Sequence, residues 1–211
     1  MTQLNIPLLG VNMGKLGFLT EVAAPDLYPA LLKIKRGEYI LEKRNMLQLT
    51  VWQGEKMTCK AHALNDMVLE SSDRSRLTRM SLKINGEPTA NAPSDADHCH
   101  GTGSTAYSLS AGGPVVHPSL KASIITPICP HALHARPLVI PMEHPIEITP
   151  RPPYETILIS ADGMTVSHLA WNQRALIEKS PCDARFVRIN PLSYYATWQD
   201  RMLKNEGQTI L

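Results

Sequence analysis

At 211 residues, 43% hydrophobic and 19% charged, the chain has the composition of an ordinary globular protein with enough apolar residues for a buried core. Its formal net charge is +2, and its basic residues are scattered through Lys33–Arg36, Lys43–Arg44 and Arg74–Arg79, which excludes the electrostatic footprint of a nucleic-acid binder. Cys59, Cys99, Cys129 and Cys182 lie far apart with no Cys-x-x-Cys pair, against a disulfide framework or structural zinc. No apolar run is long enough to cross a bilayer. The expectation is a soluble, cytoplasmic protein with no signal peptide, membrane partner or nucleic-acid partner.

In chain order, Asn5–Asn12 reads as a short buried strand, and Gly14-Lys-Leu-Gly17 as the turn of a βα connection. From Pro25 to Arg36, Leu27, Leu31, Leu32 and Ile34 recur at helical spacing, with Gly37 as a stop. That pattern predicts an amphipathic helix, and Pro29 falls in its first turns, where a missing amide hydrogen is tolerated. From Tyr39 the period becomes alternating. Leu47, Leu49 and Val51 share a face, and Gln53-Gly-Glu-Lys56 turns the chain into Met57–Leu64. Asn65-Asp66 interrupts the apolar pattern before Met67-Val-Leu69, and Leu82–Gly86 ends in an Asn-Gly turn. Further strands are predicted at Ser123–Thr126, Leu138–Ile140, Ile146–Thr149, Thr156–Ser160, Ala175–Lys179 and Ala184–Ile189, with a terminal helix over Tyr194–Lys204.

One stretch stands out as a site: Gly101-Thr-Gly-Ser-Thr-Ala-Tyr-Ser-Leu-Ser-Ala-Gly-Gly-Pro114. Its glycines permit close backbone approach, while Ser104 and Thr105 can cap a helix beginning near Ala106. A helix start of this kind favours anions and hydroxyl-rich ligands. Just before it, His98-Cys99-His100 offers metal-ligand types, but sequence neighbours point different ways and a closed site needs about four ligands. A solvated or misformed loop is the expectation there, and no metal site. Cys129 and His131 lack an orienting third group for nucleophilic chemistry. The methionines read as core fillers.

Four blocks in series carry a family resemblance: Gly10-Val-Asn-Met-Gly-Lys-Leu-Gly-Phe-Leu-Thr-Glu21; Ala63-Leu-Asn-Asp66; Gly103-Ser-Thr-Ala-Tyr-Ser-Leu-Ser-Ala-Gly-Gly-Pro114; and Thr126-Pro-Ile-Cys-Pro-His131 with Arg136-Pro137. In this order they resemble the NAD kinases, which phosphorylate the adenosine ribose 2′-hydroxyl of NAD. The resemblance implies an incomplete Rossmann-like α/β part over 1–38, a β-rich, β-sandwich-like domain over 39–190, and a C-terminal helix and tail over 191–211 packing back on the N-terminal part. It implies NAD contacts from Asn65 and Asp66, from Thr105, Ala106, Tyr107, Ser108 and Ser110, and from Arg76. An amide both donates and accepts, and a carboxylate accepts from sugar hydroxyls. It also implies Mg2+ or another divalent cation accompanying ATP, with polyphosphate as the other possible donor, and a homodimer or homotetramer.

Two departures qualify the resemblance. The family's Gly-Gly-Asp-Gly, whose aspartate acts as general base, is absent from these residues. The expectation is an N-terminally truncated, inactive chain with no catalytic residue of its own, or else a non-catalytic dinucleotide-binding or assembly subunit. A lipid kinase shares the missing motif, but Asn65-Asp66 and Gly-Ser-Thr-Ala-Tyr argue against it. Secondly, polar Asp95–His100 stands where the family has an apolar strand. One coding of Asp97–His100, GAT-CAT-TGC-CAC, read one base later gives Ile-Ile-Ala-Thr, consistent with a local frameshift. Asp95 and Asp97 then compete for the family's aspartate, and Asp95 is preferred because it needs the shorter deletion.

Overall fold

The structure, a computed structural model, describes residues 5–13, 18–72, 79–89, 95–130, 134–152, 156–189 and 194–202. In chain order its first elements are β1 (Val11–Asn12), β2 (Val22–Ala23), a 3₁₀ turn (Ala24–Asp26), α1 (Leu27–Lys35) and β3 (Ile40–Arg44). Then come β4 (Leu47–Gln53), β5 (Lys56–Ala63), β6 (Asp66–Ser71), β7 (Met80–Ile84), β8 (Glu87–Pro88) and β9 (Asp95–His100). A 3₁₀ turn (Gly103–Thr105) and α2 (Tyr107–Ser110) lead to β10 (Ala122–Ile128), β11 (Leu138–Pro141), β12 (Ile146–Pro150) and β13 (Thr156–Ala161). The last are β14 (Met164–Ala170), β15 (Arg174–Lys179), β16 (Ala184–Arg188) and α3 (Tyr194–Met202).

Two compact units result, one from the described residues of Met1–Arg44 and Asp183–Leu211, the other from those of Asn45–Cys182. These limits differ from the 38/39 and 190/191 boundaries expected from sequence. The reason is that β3 and β16 pair antiparallel with each other, in register from Ala184↔Arg44 to Arg188↔Ile40, so both leave the β-rich unit.

The larger unit is a sandwich of two six-stranded antiparallel sheets, ordered β11-β10-β9-β6-β13-β14 and β5-β4-β15-β12-β7-β8. Inward-facing side chains of both sheets form one core. Leu49, Ile148, Ile159, Leu169 and Ile177 in it have no solvent-accessible surface, and burying each contributes about 1.5–3 kcal/mol. The hairpin turns have the backbone that sequence chemistry demands. Asn85 and Gly86 both have positive φ, as do Asp162 and Gly163, and Gly54 has φ +59°; two-residue hairpins need these left-handed conformations to match strand twist.

Asp95–His100 corrects the expectation of a solvated loop. It forms β9, paired with β10 on one side and β6 on the other. His98 and His100 are 3% and 1% exposed. Backbone pairing on both edges satisfies the strand whatever its side chains, so the tertiary context overrides the polar pattern.

The smaller unit holds the parallel β1–β2 pair, α1, the β3–β16 ribbon and α3. Instead of one buried strand, Asn5–Asn12 contributes a bridge from Leu8 to Phe186 and the half-buried β1. Helix α1 forms where its periodicity predicts and stops at Gly37, which has φ +76°. Its apolar face is not fully covered: Ala30 is buried, while Leu31 is 49% and Leu32 37% exposed. The unit's polar anchor is Glu21. Its carboxylate accepts from Arg188 Nη1 at 3.0 Å and from the Ile189 amide at 2.8 Å, while Arg188 Nε donates to Glu42 at 2.5 Å and Arg44 Nη2 lies 2.6 Å from Glu42. Burial lowers the Arg44 pKa, opposed by Glu42. Phe18 and Tyr194 have ring centroids 6.4 Å apart.

Candidate functional site

Asp66 opens β6 and pairs with Cys99 of β9, so the two side chains share the sheet face turned away from the sandwich core. That face is covered by residues 101–118. Cys99, Val116 and Ile124 form a small second core there, and glycine makes the covering segment fit. A Cβ on Gly103 would lie 1.9 Å from the Asn65 carbonyl oxygen and 2.8 Å from Cys99 Cβ. A Cβ on Gly113 would lie 2.2 Å from Ser108 Oγ.

The hydroxyls divide into buried pins and exposed groups. Ser104, fully buried, donates to Gly101 O at 2.8 Å or Val116 O at 3.1 Å and accepts from the Val116 amide at 3.1 Å. Ser108, also fully buried, lies 2.7 Å from the Thr126 hydroxyl. Thr105 reaches Thr102 O at 3.4 Å. Tyr107 and Ser110 are exposed, and Ala106 is half-buried. Gly112, at φ +86°, ends α2, and the Gly113 amide returns to Ser108 O at 2.8 Å, the 6→1 bond of a Schellman motif. The glycine pair is therefore a helix stop and a packing position.

Ser104 and Thr105 do not cap this helix, contrary to the sequence expectation. The Tyr107 amide is taken by the Asp66 carboxylate, from a strand about forty residues earlier. Asp66 is 6% exposed. Its pKa is pushed up to about 6, first by burial and then by the Asp162 charge, against the favourable Tyr107 bond.

Asp162, which is not among the site residues expected from sequence, completes the arrangement. Its carboxylate accepts from the amides of Leu64 at 2.8 Å, Asn65 at 2.7 Å and Asp66 at 3.3 Å, while its own amide donates to Asp66 O at 3.1 Å. The available signal was Asp162-Gly163 between apolar runs, a hairpin turn that places this carboxylate at the strand end beside β6. The Asn65 side chain is half-buried and has no hydrogen-bond partner among the described residues.

The structure thus gathers Asn65, Asp66, Thr105, Ala106, Tyr107, Ser108 and Asp162 around one loop. Asp95 lies elsewhere: it pairs with Ile128 at the other end of β9, roughly 13 Å along the strand from Cys99 at 3.3 Å per residue, and accepts from the Ser71 amide at 3.1 Å. Arg76, Gly14, Gly17 and His131 fall outside the described residues. Among the described residues no group of three His, Cys, Asp or Glu side chains is placed to hold a metal ion, and no helix is long and apolar enough to cross a membrane.

A buried carboxylate, a half-buried amide side chain and an exposed aromatic ring lie together on the outer face of an antiparallel β-sandwich, and these polar groups have the chemistry to meet sugar hydroxyls. The comparisons sharpen this. Residues 64–189 match the family model described as the ATP-NAD kinase C-terminal domain. The NAD kinase of Moorella thermoacetica is 40% identical over 198 residues, covering 93% of this chain and 63% of the relative. That of Heliobacterium modesticaldum is 37% identical, covering 93% and 70%. Among solved structures, yeast NADH kinase complexed with NADH superposes with a TM-score of 0.85 at 25% identity, covering 97% of this chain and 60% of that one. An Archaeoglobus fulgidus NAD kinase in complex with ATP gives 0.70 at 28% identity, covering 85% and 68%. The chain belongs to the NAD kinase family, and spans less than two thirds of the length of the first of these relatives.

Proposed function

We propose that these residues form the dinucleotide-binding part of an enzyme that transfers the γ-phosphoryl group of ATP to the adenosine ribose 2′-hydroxyl of NAD, giving NADP. The observation that carries the reading is the Asp66 carboxylate, held by the Tyr107 amide beside the half-buried Asn65 side chain. In this role Asp66 accepts from ribose hydroxyls, and the Asn65 amide donates and accepts alongside it. The exposed ring of Tyr107 supplies a stacking face. Thr105, Ala106 and Ser110 line the same wall, while Ser108 positions it through Thr126. The solved relatives with bound NADH and ATP support both ligand classes. ATP enters as its Mg2+ complex, a substrate, and no described residue is assigned to it.

Activation of the 2′-hydroxyl requires a base. These 211 residues contain no Gly-Gly-Asp-Gly, so none of them is given that role, and the chain by itself is expected to bind NAD with little turnover to NADP. Calorimetric titration with NAD is the test. Wild type is expected to bind, and Asp66→Asn to bind about 10- to 100-fold more weakly, the worth of one hydrogen bond to a charged group. Equal binding by the two proteins, or no binding by wild type, would contradict the reading.

A further inference from the structure

We propose that Asp162, which lies outside the four blocks of family resemblance, is the positioning residue of the dinucleotide site, acting through Asn65 and Asp66. This rests on the function proposed above.

Three consecutive amides, those of Leu64, Asn65 and Asp66, converge on one carboxylate. Successive amides aimed at one point form a cradle for an anion; here the protein fills the cradle with its own side chain. The loop carries no regular pairing of its own between β5 and β6. Its conformation therefore depends on these bonds, on the return bond from the Asp162 amide to Asp66 O, and on the packing of Gly103 against Asn65 O. With the backbone tied down, the Asn65 side chain, which has no hydrogen-bond partner among the described residues, is carried by its backbone.

The second consequence is electrostatic. Asp162 is exposed, and its charge raises the proton affinity of buried Asp66. The titratable groups around this pair are Cys99, opposite Asp66 on β9, and His100, whose ring feels the Asp162 charge; α2 presents the Tyr107 amide and carries no charged residue. Asp162 thus both fixes the loop and, adding to the larger effect of burial, raises the pH at which Asp66 stops accepting hydrogen bonds.

Asp162→Asn separates these effects from folding. Asn-Gly is a favoured pair for a two-residue hairpin with both φ positive, so the turn survives, while one acceptor and the charge are lost. In the free chain, amide exchange at residues 64–66 is expected to speed up about tenfold relative to wild type, as for loss of a bond of about 1.4 kcal/mol. In calorimetric titrations with NAD at several pH values, the variant is expected to bind about tenfold more weakly, and its loss of binding in acid to occur at lower pH than in wild type, because Asp66 stays ionised further down. Unchanged amide exchange overturns the proposal, as does weakened binding with an unmoved acid limb. Should wild type itself not bind NAD, faster exchange at 64–66 still supports the loop-holding role, and it is the proposed function that fails.

Discussion

Lowering the pH from 6.5 to 4 is expected to destabilise the β-sandwich unit by roughly 4 kcal/mol, most of it through His98 and His100. Both rings point into the core between the sheets. His98 donates to the Ile124 carbonyl and His100 to the Met46 carbonyl, leaving His98 Nδ1 and His100 Nε2 without partners. Burial, aided for His98 by the charge of His100, pushes the His98 pKa down to about 3; burial pushes His100 down to about 4. The unfolded chain protonates both below about 6.5, so unfolding takes up protons as the pH falls from there, at about 1.4 kcal/mol per ring per unit. Asp66 opposes this. Its folded pKa of about 6 exceeds the unfolded value of 3.8, so the native state binds the extra proton between those limits and gains about 3 kcal/mol as the pH falls. Two losses outweigh one gain. Urea unfolding followed from pH 7 to pH 4 measures the balance, and His98→Leu should flatten the acid limb. A stability independent of pH over that range would contradict the buried placement of both rings.

Glu21→Ala is expected to cost the smaller unit about 3–5 kcal/mol, the penalty for breaking a buried ion pair from one side. The Glu21 and Arg188 side chains are 7% and 11% exposed, so removal of the carboxylate leaves the Arg188 guanidinium with the Glu42 carboxylate and the Phe18 carbonyl and takes the acceptor from the Ile189 amide. Glu21→Gln, which keeps an acceptor for that amide, should cost less. Chemical denaturation of the three proteins decides it, and a change below about 1 kcal/mol for Glu21→Ala would show the pair to be solvated in solution.

Much of the fold was legible because local chemistry and tertiary structure agree. Asn85-Gly86 turns where an Asn-Gly pair must, a 3₁₀ turn containing Pro25 leads into helix α1, which stops before Gly37, and Leu47, Leu49 and Val51 are buried as their alternation predicts. What was not legible depends on partners far away in sequence. The Asp95–His100 strand is polar by composition and buried because β6 and β10 hold its backbone. The unit boundary follows from β3 pairing with β16, more than a hundred residues on. The Tyr107 amide is bound by Asp66 rather than by the adjacent hydroxyls, and the loop bearing Asp66 is held by Asp162. The segment from Thr105 to Ser110 stands out by its own glycines and hydroxyls and Asn65-Asp66 by family resemblance, and the structure adds Asp162, which ties the Asn65-Asp66 loop to its place. Asp95 was marked by family resemblance and lies away from them.

The most direct test of the site is amide hydrogen exchange across the chain with and without saturating NAD. Slower exchange confined to residues 64–66 and 103–110 is the expected result. Protection that leaves both segments unchanged and appears elsewhere in the sandwich would contradict the assignment of Asn65, Asp66 and the Thr105–Ser110 wall as the dinucleotide site.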